Sequence, residues 1–158
     1  MLIYFDMNIY NRMFDDQEQL KIKLETTAID IIFQRVQEGQ FNLLWSFILD
    51  YENSRNPFIQ RRSKVQVLSQ LSSGVILKND IITGVAKNIV ENSKARIEDA
   101  LHIACSIYAG CRYYMTCDGR LIRTIYDNMS NLQDILGGTE ILNPIDFLRK
   151  EMNLDVIG

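Results

Sequence analysis

Short unbroken apolar runs that each stop at a small polar or acidic residue, with helical-period segments between them, constrain this chain more than any other feature. Leu2-Ile3-Tyr4-Phe5 stops at Asp6, Phe41 to Trp45 stops at Ser46, and Arg112-Tyr113-Tyr114-Met115-Thr116 leads into Cys117-Asp118-Gly119. A strand apolar at successive rather than alternate positions is buried on both faces, the condition of a parallel sheet covered by helices on both sides. Ile141-Leu142, after the turn at Gly137-Gly138, reads as a short last edge strand.

The segments between are helical. Gln17 to Glu38 carries apolar residues at Leu20, Leu24, Ala28, Ile31, Phe33 and Val36 and stops at Gly39. A short helix follows Ser46. Pro57 disfavours helix at Asn56, and Phe58 to Leu71 restarts it with Ile59, Val65, Val67, Leu68 and Leu71, ending at Ser72-Ser73-Gly74. Asn79 or Asp80 caps a helix that buries Ile81, Ile82, Val85, Ala86, Ile89 and Val90. Ile97, Ala100, Leu101, Ala104, Cys105 and Tyr108 give the next, stopped by Gly110; Arg120 to Met129 gives another, and Pro144 opens a last one through Lys150. Strands alternating with helices predict an α/β fold with a mainly parallel sheet of four to five short strands, in one domain spanning residues 1–158.

Composition narrows the function. At 47% hydrophobic and 23% charged the chain is neither disordered nor fibrous. It has no apolar run near the ~20 residues of a membrane span and no basic leader, so a cytoplasmic protein without membrane contact is expected. Cys105, Cys111 and Cys117 are odd in number and six positions apart, the pattern of buried thiols rather than of a disulfide framework, and the single histidine, His102, argues against a histidine-rich zinc site. A net charge of -3 requires any nucleic-acid contact to come from a local basic patch.

Ligands of a parallel sheet bind beyond the carboxyl ends of its strands. Asp6 and Asp118 lie there. Asp99, in the first turns of its helix beside the apolar stripe of Ala100 and Leu101, sits next to the buried face, whereas Glu98, ~100° around the helix, points to solvent.

Asp6-Met7-Asn8 after the first strand, Ser46 with Glu52 six positions on, Glu98-Asp99-Ala100-Leu101-His102-Ile103-Ala104, and Thr116-Cys117-Asp118 closely resemble, in order, the four acidic motifs of PIN-domain nucleases, and Ile141-Leu142-Asn143-Pro144-Ile145-Asp146-Phe147-Leu148 resembles that family's final strand and helix. The resemblance spans essentially the whole chain and is closest to VapC-like toxins. It departs at Leu49, where threonine is frequent, and at Cys117, where asparagine is frequent. Asp50, two positions from Glu52, competes for the second acidic position.

What the resemblance implies is a three-layer fold that gathers Asp6, Glu52, Asp99 and Asp118 into one acidic site. Carboxylates so close repel unless a cation neutralises them, and all-oxygen ligation suits Mg²⁺ or Mn²⁺. The expected chemistry is endonucleolytic hydrolysis of RNA, leaving 5′-phosphate and 3′-hydroxyl ends. Asp6, Asp99 and Asp118 are expected as metal ligands, directly or through water, and Glu52 as a ligand or an orienter of the attacking water. Asn8, Ser46 and Thr116 support them or stabilise turns. Arg55, Arg61, Arg62, Lys64, Arg120 and Arg123 are the candidate RNA contacts, and His102 is expected to be a packed, hydrogen-bonded side chain. A small antitoxin protein and a homodimer are further partners that the resemblance allows.

Two other readings compete. A catalytically weak PIN domain would bind RNA or a protein without cutting. A phosphate-responsive receiver domain would need an adjacent acid pair after the first strand and a lysine ending a last strand, and neither is present. A dinucleotide enzyme lacks its Gly-x-Gly-x-x-Gly after Asp6.

Overall fold

The computed structural model describes residues 1–152; the end of the expected domain, 153–158, lies outside the described residues. Five strands form one sheet: β1 (Leu2–Phe5), β2 (Asn42–Ser46), β3 (Gly74–Ile76), β4 (Tyr113–Met115) and β5 (Glu140–Leu142). They run in the order β3-β2-β1-β4-β5, and every neighbouring pair is parallel. The continuous apolar run of β1 is explained by its place: Ile3, Tyr4 and Phe5 at the sheet's centre are fully buried.

After β1 come α1 (Met7–Asn11), a 3₁₀ turn (Arg12–Phe14) and α2 (Leu20–Gln37). Next are α3 (Phe47–Ser54) and α4 (Ile59–Ser69) between β2 and β3, then α5 (Asp80–Ser93) and α6 (Ile97–Tyr108) before β4. The last are α7 (Gly119–Asp127), α8 (Met129–Leu136) and α9 (Pro144–Glu151). Right-handed crossovers put α2 and α4 on one face of the sheet and the long β3-to-β4 connection on the other. In agreement, α2 packs on α9, α1 on α4, and α5 on both α6 and α8. Among the described residues no helix is long and apolar enough to cross a membrane.

The strand order reverses between β1 and β4. From β1 the chain builds outward through β2 and β3, then crosses back to place β4 on the other side. At such a switch point the two neighbouring loops diverge and leave a crevice.

Several expected elements are corrected. β3 is an additional strand: Ser72-Ser73-Gly74 does end α4, but the chain then enters a three-residue edge strand through Ser73, whose N–H bonds Leu43 O at 2.8 Å. The helix expected over Arg120 to Met129 is α7, which ends at Asp127, and α8 is an additional helix that begins after Asn128. In α2, Leu20, Leu24 and Ile31 face solvent, and the buried stripe is Ile22, Glu25, Ala28, Ile29, Ile32, Phe33 and Val36, rotated toward the sheet and α9. In α4, Ile59 and Val67 are exposed and only Val65 is fully enclosed. Ile81 in α5, and Ile97 and Tyr108 in α6, are also exposed, because two packing partners leave each helix one open flank. The cap of α5 is Asn79, whose side chain accepts from the Ile82 N–H at 3.0 Å.

Candidate functional site

Asp6 ends β1 and caps α1: its Oδ1 accepts from the Met7 N–H at 2.7 Å. Its other oxygen, Oδ2, accepts from the Thr116 hydroxyl at 2.9 Å and from Asn8 Nδ2 at 3.1 Å. The Thr116 hydroxyl in turn accepts from Asn8 Nδ2 at 3.0 Å and from the Asp118 N–H at 3.1 Å, so its one proton and two lone pairs are all used. Asn8 Oδ1 accepts from the Cys117 N–H at 2.9 Å, and Asp118 caps α7 through the N–H groups of Arg120 and Leu121. Asn8 and Thr116 thus tie the two strand-end acids into one frame across the switch point.

Asp99 stands in the first turn of α6 with its side chain mostly covered, whereas Glu98 is exposed. Burial pushes the Asp99 carboxyl up to about 6; the charges of Asp6 and Asp118 push the same way, and Arg96, 3.7 Å away, and His102 pull it down. Three acids from β1, α6 and the β4–α7 turn therefore share one electrostatic neighbourhood.

That shift has a measurable consequence. An unfolded aspartate titrates near ~3.9, so between about pH 4 and 6 the folded chain holds a proton on Asp99 that the unfolded chain has released. Stability contributed by that proton is lost as pH rises through the window. The full conversion, about 3 kcal/mol, falls to roughly 1–2 kcal/mol after solvent screening at this half-open rim. Asp99→Asn is expected to melt about 2–8 °C above the parent at pH 7 in chelator, with the gap closing below about pH 4. Thermal denaturation across pH checks this, and a variant that melts lower at pH 7 contradicts a raised Asp99 carboxyl.

Glu52 reaches the same neighbourhood through His102. Its Oε1 lies 2.5 Å from His102 Nε2, and that nitrogen is 3.9 Å from Asp6 Oδ1. The other ring nitrogen bonds the Tyr4 hydroxyl at 2.7 Å, which meets the Ser46 hydroxyl at 2.6 Å. Ser46 also caps α3, accepting from the Leu49 N–H at 3.3 Å. Burial lowers the His102 pKa, but the bond to Glu52 and the charges of Asp6, Glu52 and Asp99 together raise it above 6.5. Asp50 is turned elsewhere, accepting from Trp45 Nε1 at 2.6 Å. Tyr4 was not anticipated as part of this network, and its signal was strand alternation: it lies two residues before Asp6, on the same face. His102 follows Asp99 by three positions on the same side of α6.

The candidate cations divide. Arg55 lies over the Tyr51 ring, Arg61 over Phe14 and Phe58, and Arg62 donates to Asn56 O at 3.1 Å. Lys64 is exposed on α4, and Arg123 is on α7 near Gly119. Arg120 alone of the six lines the cavity that holds Asp99 and Asp118, a space of about 330 Å³ whose other walls include Lys94, Arg96, Leu121 and Thr124. Lys94 and Arg96 were missed by the sequence reading, although the run Lys94-Ala95-Arg96, one residue before Glu98-Asp99, marks them.

Among the described residues no three His, Cys, Asp or Glu side chains converge as the direct ligands of one ion would. The donor set nonetheless fits a hard cation that keeps several waters and takes one or two carboxylates, as Mg²⁺ does. The Tyr114 hydroxyl, fully buried, faces Asp6; after burial itself, the charges of Asp6, Tyr4 and Asp99 and the bond to Asp6 hold its pKa well above 10.

A parallel sheet in this order, with helices on both faces and acids at its switch point, is the PIN-like fold that the motifs imply. Solved structures that share it include FitAcB from Neisseria gonorrhoeae, with a TM-score of 0.55 and 12% identity over 90% of this chain and 97% of that one, and VapBC2 from Rickettsia felis bound to a DNA fragment from their promoter, with a TM-score of 0.50 and 15% identity over 90% and 98%. No family model and no curated protein matches the sequence.

Proposed function

We propose that this chain is a divalent-metal-dependent endoribonuclease and the toxin component of a toxin–antitoxin pair. The observation that carries the reading is the frame at the switch point, where Asn8 and Thr116 tie Asp6 to the turn of Asp118 and Asp118 shares one cavity with Asp99. Asp6, Asp99 and Asp118 would hold Mg²⁺ or Mn²⁺, directly or through water. Such an ion, when bound, lowers the pKa of a coordinated water and offsets charge on a phosphodiester.

The chain's own groups supply position. Asn8 and Thr116 keep both lone-pair directions of Asp6 Oδ2 occupied, leaving Asp6 little freedom to rotate away. His102, held by Tyr4, fixes Glu52 toward Asp6, where its free oxygen can orient a water for attack on phosphorus. Attack forms a new P–O bond as the bond to the 3′ oxygen breaks, leaving 5′-phosphate and 3′-hydroxyl ends. The likeness to FitAcB and VapBC2 supports a small antitoxin partner.

A catalytically weak module that binds RNA or protein is the second reading, favoured by the lack of three converging ligands among the described residues. Digestion of structured and unstructured RNA with Mn²⁺, with Mg²⁺ and with EDTA separates the two. The expected result is cutting that EDTA abolishes, with product ends labelled as above; RNA bound but uncut under all three conditions selects the module.

A further inference from the structure

Lys94 is the only residue other than glycine with positive φ among the described residues, at 64°. It terminates α5 in the left-handed conformation, its N–H bonding Val90 O at 2.9 Å. Glycine takes that position in most helices because a Cβ there crowds the backbone; Gly39 and Gly110 do so here, just after α2 and α6. A lysine in its place keeps a local penalty that packing does not explain, since the residue is exposed. Such a departure points to what the side chain does.

Lys94 lines the cavity of Asp99 and Asp118, with Arg96 from the α5–α6 turn and Arg120 from the start of α7. Among the described residues Arg96 has a carboxylate partner, Asp99, while neither Lys94 nor Arg120 has one within ion-pair distance. Unpaired cations beside these acids resolve a difficulty of the sequence. A chain of net charge -3 whose reacting centre is itself acidic repels a polyanion unless positive charge stands at the entrance.

We infer that Lys94, Arg96 and Arg120 form a cationic lip that grips the phosphodiester backbone of RNA beside the acids. The inference rests on the nuclease reading and adds where the strand enters. Arg96 holds Asp99 and the strand in turn; Lys94 and Arg120 serve the strand alone.

The test uses a labelled single-stranded oligouridylate, bound in EDTA by the full chain at several salt concentrations, beside cleavage with Mn²⁺. Each phosphate contact contributes about 0.7 to the slope of log affinity against log salt on single strands. Lys94→Gly and Arg120→Gln should each flatten the slope by about 0.7 and weaken binding on the order of tenfold at 50 mM salt. Arg35→Gln, at the opposite end of the sheet on the last turn of α2 and paired with Glu38, makes the same charge change and should alter neither. Lys94→Gly should not lower the melting temperature, because glycine relieves the left-handed strain, so weaker binding cannot be laid to unfolding.

If the parent binds and cuts while Lys94→Gly and Arg120→Gln keep its slope, the lip is overturned and the nuclease stands. Equal weakening by Arg35→Gln also overturns it, leaving general charge as the cause. If the parent neither binds nor cuts, the nuclease reading falls first.

Discussion

Replacing Asp6 or Asp99 by asparagine is expected to lower Mn²⁺-dependent RNA cleavage by at least 10²–10³-fold, on the order found when one group that stabilises developing charge is removed. The loss should fall on kcat, because contacts to the rest of the strand are left in place. The two variants differ in stability, which makes the pair informative. At Asp6 the Oδ2 atom accepts from both Thr116 and Asn8, and an amide nitrogen there would confront Asn8 Nδ2 donor to donor. Asp6→Asn should therefore melt below the parent. Asp99→Asn removes a charge that burial and the nearby Asp6 and Asp118 disfavour, and should melt above it. A protein made sturdier yet inert cannot owe its inactivity to misfolding. Equal cutting by the parent and both variants would sink the mechanism.

Arg12→Ala should have the largest effect on stability. Glu25 on α2 is completely buried, and its Oε1 accepts from Arg12 Nη2 at 2.6 Å and Nε at 3.1 Å. Its Oε2 accepts from Asn143 Nδ2, and Asn143 also caps α9. One carboxylate thus joins the 3₁₀ turn, α2 and the β5–α9 junction. Deleting the guanidinium strands a buried charge at a cost of about 3–5 kcal/mol, or a melting point roughly 6–20 °C lower by thermal denaturation. Replacing both partners by leucine should cost less than Arg12→Ala alone, since an apolar pair leaves no charge behind. A single variant that melts with the parent would show the clasp to be inconsequential. Burial raises the Cys117 thiol pKa and Glu25's charge raises it further, so the clasp lies close under the turn that presents Asp118.

The sequence made the acids readable and the clasp unreadable, for a physical reason. A carboxylate after an apolar strand announces its position on the rim, because chain direction in a parallel sheet fixes which end it occupies. Glu25 announces nothing: its partners lie 13 and 118 residues away, and it stands in a helix whose Leu20, Leu24 and Ile31 imitate an inward stripe. The edge strand β3 was hidden for a related reason, since three residues opening on glycine are too few to show a period. Glu52 was distinguishable from Asp50 only once Trp45 and His102 had claimed one each. Which cations stand beside the acids was not legible, because arginine near an acid in sequence says little about reach. Arg55 and Arg61 spend their charge on aromatic rings, whereas Lys94 arrives through a backbone conformation that no composition reveals.

The link between Thr116 and Asp6 spans 110 positions of chain, and the central strand finds its second neighbour only in β4. During synthesis the first aspartate emerges long before the loop that completes its surroundings, and pairings so remote along the chain form late. A nascent polypeptide halted before β4 would carry one half of the pocket with nothing to close it. Whatever chemistry this crevice performs must wait until β4 and the turn that follows it have left the ribosome.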